Sequence, residues 1–367
     1  MQAIISKAAL LSLIGKLQSI VSPKPPLPIL ANVLIEGYRD QLTISATDLT
    51  VSMRTHAEAK VVEEGSITLP ARRFFQLIRE LTAPQIELHA ATPEIAHINA
   101  SSSHFKLNGM HKSEFPTLPD LTGATSFTLP SHIFKEMLAR SSFAAAREDS
   151  RHTINGVLMK VSKDTATFVG TDGKRLAMIS SPIEMDKIDE GSYIIPLKAV
   201  EEIVKMLDAS EDKVKCTLAQ DKVELSTGGT TLITKLLAGG YPDVSRVIPK
   251  KSSVSVTLHR EELISLLRQV SLFTSESSSS VRFTFLSGEL QLSANSSEIG
   301  EGKVSMPLQY EGQRLDIAFN PVYFLDILKH SKDETLDFDI TDSYNPVAAR
   351  DSTTALFVIM PMRLHEN

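Results

Sequence analysis

The side chains able to do chemistry are few and widely spaced along the 367 residues. Asp48 and Asp172 stand in matching segments, Ala46-Thr47-Asp48 and Gly170-Thr171-Asp172, 124 residues apart. Two recurring carboxylates are the least that general acid–base work on a polymer would need. A third matching segment reads Ala294-Asn295-Ser296. A site that every repetition needed would keep its acid, so a turn-forming role suits both aspartates better. Gly170 to Lys174 has the glycines and lysine of a phosphate loop, but only two residues separate Gly170 from Gly173, and Arg175 stands where Ser or Thr is required. His56, His89, His97, His104 and His111 fall in strand-like text without ligand spacing. Cys216 is the single cysteine. It therefore has no partner for an intrachain disulfide, a thiolate zinc site or an iron–sulfur cluster, and a reducing cytoplasm fits best. Neither GxSxG nor HExxH occurs. No catalytic residue, cofactor or metal is expected.

The elements that would position these residues repeat. Val33, Val157 and Val281 each sit in a strand-like run and are 124 residues apart in both steps, as are the three turn segments. The chain reads as three copies of one domain, at 1–123, 124–249 and 250–367. Within each copy two amphipathic patterns follow a strand, giving helix starts at Ser6, Ala71, Ser131, Leu197, His259 and Asn320, most of them at Pro or a capping residue. Alternating runs such as DTATFVGTD and GELQLSANSS fill the intervals and predict antiparallel strands. The fold class is α+β, two helices and about eight strands per copy. The first 21 residues are apolar enough to suggest a leader, but Lys7 and Lys16 interrupt them, and Leu10, Leu13, Ile14, Leu17 and Val21 mark one helix face. No membrane partner is expected.

Charge is distributed by element. Lys and Arg total 38 against 44 Asp and Glu, a net of −6. The six predicted helices with their flanks hold 13 basic and seven acidic residues, leaving the remainder at −12. An acidic chain that gathers cations on one repeated element could face a polyanion with that element alone. Lys7, Arg72 and Arg73 lie at helix starts, where the macrodipole disfavours cations, so capping is not expected to explain them. Tryptophan is absent and aromatics are 6%, which argues against holding single strands by base stacking.

With the repeat, the segments KPPLPILANVLIE, TDGKRLA, YPDVSRVIPK and VIMPMRL resemble the bacterial DNA polymerase III beta subunits, the sliding clamps, along essentially residues 1–364. The resemblance implies a DNA clamp fold and a head-to-tail homodimer closing a ring of six domains, lined by twelve helices and faced outside by sheets. Such a ring encircles duplex DNA without sequence preference, slides, and tethers the polymerase; it catalyses nothing. Implied partners are the polymerase III alpha subunit, the clamp loader, other polymerases and repair proteins. They would dock a short apolar peptide between the second and third domains at Ile154, Thr171, Gly173, Lys174, Arg175, Leu176, Pro242, Arg246, Val247, Val358, Met360, Pro361, Met362, Arg363 and Leu364. Implied DNA-facing cations are Lys24, Arg72, Arg79, Arg147, Arg151, Lys198 and Lys250. The implied dimer seam joins Phe105 and Leu107 to Leu272 and Phe273 of the second chain. The family commonly has His at Lys174 and Arg at Lys24, smaller residues at Tyr344, Asn345 and Pro346, and no counterpart of His365, Glu366 and Asn367. From the residues alone, two other readings stand beside this one. They are a repeat-built scaffold that does not bind DNA, and an enzyme acting on DNA or a polysaccharide through Asp48 and Asp172.

Overall fold

The computed structural model describes residues 1–121, 124–183, 190–207, 212–250, 252–275 and 279–363. Its six α-helices among these begin where the capping pattern places them: α1 (Lys7–Leu17), α2 (Ala71–Glu80), α3 (Ser131–Ser142), α4 (Leu197–Met206), α5 (Arg260–Val270) and α6 (Pro321–His330). Ser6 accepts a hydrogen bond from the Ala9 amide, and the Asn320 side chain accepts one from Val322, each satisfying an orphan donor of a first turn. In α1 the buried residues are Leu10, Leu13, Ile14 and Leu17. Their spacing of three and four makes one stripe, and each such side chain contributes about 1.5–3 kcal/mol by leaving water. No helix among the described residues is long and apolar enough to cross a membrane.

The strands are antiparallel and pleated. In Thr335–Ile340, Leu336, Phe338 and Ile340 are buried while Thr335 and Asp337 face out. Phe338 stacks on Phe324 of α6 at 5.3 Å, and Phe324 meets Phe283 at 4.8 Å, an aromatic core between helix and sheet.

Contacts group the described residues into two compact units, and each unit joins parts of two copies. The first comprises mainly residues 1–135 and 198–236. Its eight-stranded sheet runs Thr125–Pro130, Lys213–Leu218, Lys222–Thr227, Thr230–Lys235, Val51–Glu58, Gln41–Thr47, Asn32–Tyr38, Gly65–Pro70. A five-stranded sheet, Lys60–Glu63, Gln2–Ser6, Gln85–Thr92, Ile95–Ala100, Ser103–Asn108, completes it. The second unit comprises 136–182, 190–197 and 237 onward. Its eight-stranded sheet runs Gly191–Pro196, Gly156–Ser162, Thr165–Thr171, Arg175–Pro182, Leu356–Ile359, Val347–Arg350, Thr335–Ile340, Val254–His259. Its four-stranded sheet is Gly300–Pro307, Glu289–Ser296, Val281–Leu286, Leu315–Phe319. In both large sheets the strand after the Thr-Asp turn pairs with the last strand of the neighbouring copy. The third copy's corresponding strand, Gly300–Pro307, and the first copy's last strand, Ser103–Asn108, are left as open edges.

Candidate peptide cleft and nucleic-acid interface

Asp48 and Asp172 are both consumed by their turns. Asp48 Oδ1 accepts from the amides of Thr50 and Val51 at 2.8 and 2.7 Å, and Asp172 Oδ1 from those of Lys174 and Arg175 at 2.9 and 3.0 Å. Thr47 and Thr171 accept from the residue two further on in the same way. Gly173 has φ +84°, which glycine adopts freely, whereas the equivalent Leu49 holds φ +76° at a steric cost. Cys216 is buried, and burial pushes its thiol well above the usual range, which removes it as a nucleophile.

The turn at Thr171 opens onto the predicted peptide residues. Leu176 pairs with Val358 and Arg175 with Ile359, and the Met360 amide donates to the Lys174 carbonyl at 2.9 Å. The Met362 amide donates to Ala318 at 2.7 Å, anchoring the C-terminal segment to the four-stranded sheet. Leu176 and Val358 belong to a buried cluster with Leu158 and Val169, against which Tyr241, Val244 and Ile248 pack. The Tyr241 hydroxyl donates to Val169 at 3.2 Å, and burial raises its pKa well above the usual phenol range. Asp243 turns the next residues, accepting from the Ser245 amide and from Arg246 Nε. The Ser245 hydroxyl bond is the largest cause holding its carboxyl low. Pro242, Arg246, Val247, Met360 and Arg363 are exposed, Pro361 and Met362 half-buried, and Thr171, Leu176 and Val358 buried. The result is an apolar floor with exposed aliphatic and methionine side chains at its rim. Methionines repack readily, which suits a surface that takes several peptides. Ile154 is buried in a short 3-10 turn, where its carbonyl accepts from the Ala146 amide at 3.0 Å. Leu364 and His365 to Asn367 lie outside the described residues. Tyr344 is 81% exposed on a turn tied by Asp342, and Asn345 and Pro346 continue it.

Arg175 is a prop with no free charge to offer. Its guanidinium bridges Asp172 at 3.1 Å and Asp326 of α6 at 2.7 Å, and lies 4.5 Å from the Tyr323 ring centroid and 5.5 Å from that of Phe143. Lys174 and Arg147 line the adjoining depression of about 370 Å3 with these rings. Phe143, Tyr323 and Asp326 carried no signal of this role in the sequence, because the partners lie more than 140 residues apart in two of the three cases.

All seven predicted DNA-facing cations are exposed. Lys198 pairs with Asp48, Arg79 with Glu80 and Arg151 with Asp149, while Lys24, Arg72 and Lys250 show no carboxylate partner among the described residues. The expectation that capping plays no part in the helix cations is corrected by the structure. Lys7 Nζ donates to the Arg79 and Leu81 carbonyls at the end of α2, Lys135 Nζ to Leu207 after α4 at 2.7 Å, and Arg260 to Leu328 of α6 at 3.5 Å. In every copy the first helix sends a cation to the C-terminal carbonyls of the second, where the macrodipole favours it. Arg140 is likewise internal, 5% exposed, and bound to Asp351, Glu136, Thr353 and the His330 carbonyl.

The predicted seam residues lie at the open edges. Phe105 and Leu107 are on Ser103–Asn108, Phe105 being 39% exposed. Leu272 is 73% exposed, and the Phe273 ring packs where a Cβ on Gly302 of the edge strand would stand.

Comparison with known proteins identifies the pattern. Models of the N-terminal, central and C-terminal domains of the DNA polymerase III beta subunit match residues 1–119, 128–243 and 245–363. The beta sliding clamps of Chlamydia muridarum and Chlamydia pneumoniae are 55% and 53% identical to the chain, with all of each chain covered. A crystal structure of the Pseudomonas aeruginosa sliding clamp bound to griselimycin superposes with a TM-score of 0.95 at 30% identity, covering 99% of this chain and 100% of that one. The chain belongs to the DNA polymerase III beta subunit family, the bacterial beta sliding clamps.

Proposed function

We propose that two copies of this chain join head to tail into a closed ring that encircles duplex DNA and tethers the replicative polymerase. The family is a processivity factor of replication and not an enzyme. The observation that carries the ring is the pair of open edges. Gly300–Pro307 is the third copy's counterpart of the strands that pair across copies in both large sheets, Val51–Glu58 and Arg175–Pro182, and Ser103–Asn108 is the first copy's counterpart of the strands they pair with. Joining them between two chains repeats an arrangement that each chain already makes twice, and leaves no exposed edge there. Phe105, Leu107, Leu272 and Phe273 would supply the apolar part of that seam.

Lys24, Arg72, Arg79, Arg147, Arg151, Lys198 and Lys250 would meet phosphates, the strongest of them being Lys24, Arg72 and Lys250, which have no carboxylate partner among the described residues. Contacts confined to the backbone leave every register equivalent, so the ring slides. The cleft around Leu176, Val358, Met360 and Met362 would take a short apolar peptide from the polymerase alpha subunit, the clamp loader, and other polymerases and repair proteins, and would accept griselimycin. The repeat boundaries at 123 and 249 and a cytoplasmic location belong to the same reading.

Retention on DNA tests it. With a clamp loader and ATP, the protein should stay on nicked circular DNA and be lost once the circle is cut; equal loss from both forms would refute encirclement. Met362→Ala should weaken binding of a polymerase-derived peptide at least tenfold without changing the oligomeric state.

A further inference from the structure

Strand register gives each copy's counterpart of the peptide cleft, residue for residue. At the second junction Leu176 pairs with Val358 and Met178 with Leu356, and Val169 flanks Met178 on the other side. At the first junction the same register sets Ser52 against Ile233 and Arg54 against Thr231, with Ser45 flanking Arg54. The third copy carries Glu301 and Lys303 at the positions of Leu176 and Met178. The register that aligns Gly170 with Ala177 and Ala46 with Met53 aligns Ala294 with Gly302. One framework thus occurs three times, and only the second copy gives it an apolar face.

The first junction does hold a cleft, of about 330 Å3, where Leu118, Pro119 and Asp120 pass beside Ser52, Arg54 and Thr231. Its chemistry rejects the occupant that its shape would admit. An apolar side chain laid on Leu176 and Met178 gains about 25 cal/mol for each Å2 it buries. Laid on Arg54, it would strip water from a guanidinium that has no carboxylate partner among the described residues, and that loss exceeds the gain. Ser45, beside Arg54 in the register, adds a buried hydroxyl with no hydrogen-bond partner among the described residues where the second copy has the apolar Val169.

We propose that Ser45, Ser52, Arg54 and Thr231 are specificity-determining residues. They close the first-junction cleft to the apolar peptide, so that the chain accepts one such peptide, at the second junction. The inference rests on the peptide site proposed above. Its test is titration calorimetry with a synthetic pentapeptide bearing two leucines and a phenylalanine, on the full chain and on the variant Ser45→Val/Ser52→Leu/Arg54→Met/Thr231→Leu. Stoichiometry should rise from one to two peptides per chain. A folded variant that still binds one overturns the proposal, whereas an unaltered chain that binds none overturns the peptide site itself and the inference with it. Should the fourfold variant fail to fold, Met178→Arg decides. In the folded variant the single site should weaken at least tenfold; unchanged affinity would overturn the equivalence of the two clefts.

Discussion

Arg140 and Asp351 carry the largest single stake at the residue scale. With side chains 5% and 0% exposed, the pair survives burial because Glu136, Thr353 and the His330 carbonyl complete the guanidinium's hydrogen bonds. Arg140→Met should cost about 3–5 kcal/mol in urea unfolding, since it strands a buried carboxylate. His330 beside it stacks on Phe143 at 4.2 Å and donates from Nδ1 to the Asp326 carbonyl. Burial, the largest cause, holds its pKa below the ordinary 6.5. The unfolded chain therefore takes up this proton first, so stability is full above pH about 6.5 and falls as pH drops through the folded value. His330→Gln should lose less melting temperature than the parent between pH 7.5 and 5.5, by scanning calorimetry; equal losses would remove this histidine from the acid response. In the sequence Arg140 counts only toward the helix charge, because helical position tells which residues share a face, not where a long side chain finds a partner 211 residues away.

Helix starts were legible because caps and the three-and-four spacing are local. Ser6, Ala71, Ser131, Leu197, His259 and Asn320 each stand at a helix start or immediately before it. The aspartate turns were legible for the same reason. The reach of Lys7, Lys135 and Arg260 was not, since each spans from one helix to another 60 to 80 residues on, and the net helix charge hid which cations were already committed. Lys135→Ala should destabilise by about 0.5–1 kcal/mol through the exposed carbonyls of α4. Lys24→Ala, which removes the same charge from an exposed loop, should leave the unfolding midpoint unchanged. A similar loss from both would assign the effect to net charge instead of capping. The peptide cleft was legible only through family resemblance, whereas the register that separates Leu176 and Met178 from Ser52 and Arg54 needed the sheets.

For the whole molecule the seam is the test. Phe105→Asp places a carboxylate on the open edge of the five-stranded sheet, and light scattering should then give the 40.2 kDa of one chain where the parent gives about twice that mass. A dimer retained by the variant would move the seam elsewhere. Three copies were countable from the 124-residue period, yet the compact units cut through the second copy, because strand pairing ignores where one copy's text ends and the next begins. The second copy therefore owns half of two sheets and the whole of none, while the first and third each hold half of one large sheet and a smaller sheet with an open edge. A chain of one copy would be sticky at both ends, able to cover itself only by adding its own kind without limit or by coming back to its start. Protein concentration would set the length of such a polymer, and a fixed circumference is what ends it.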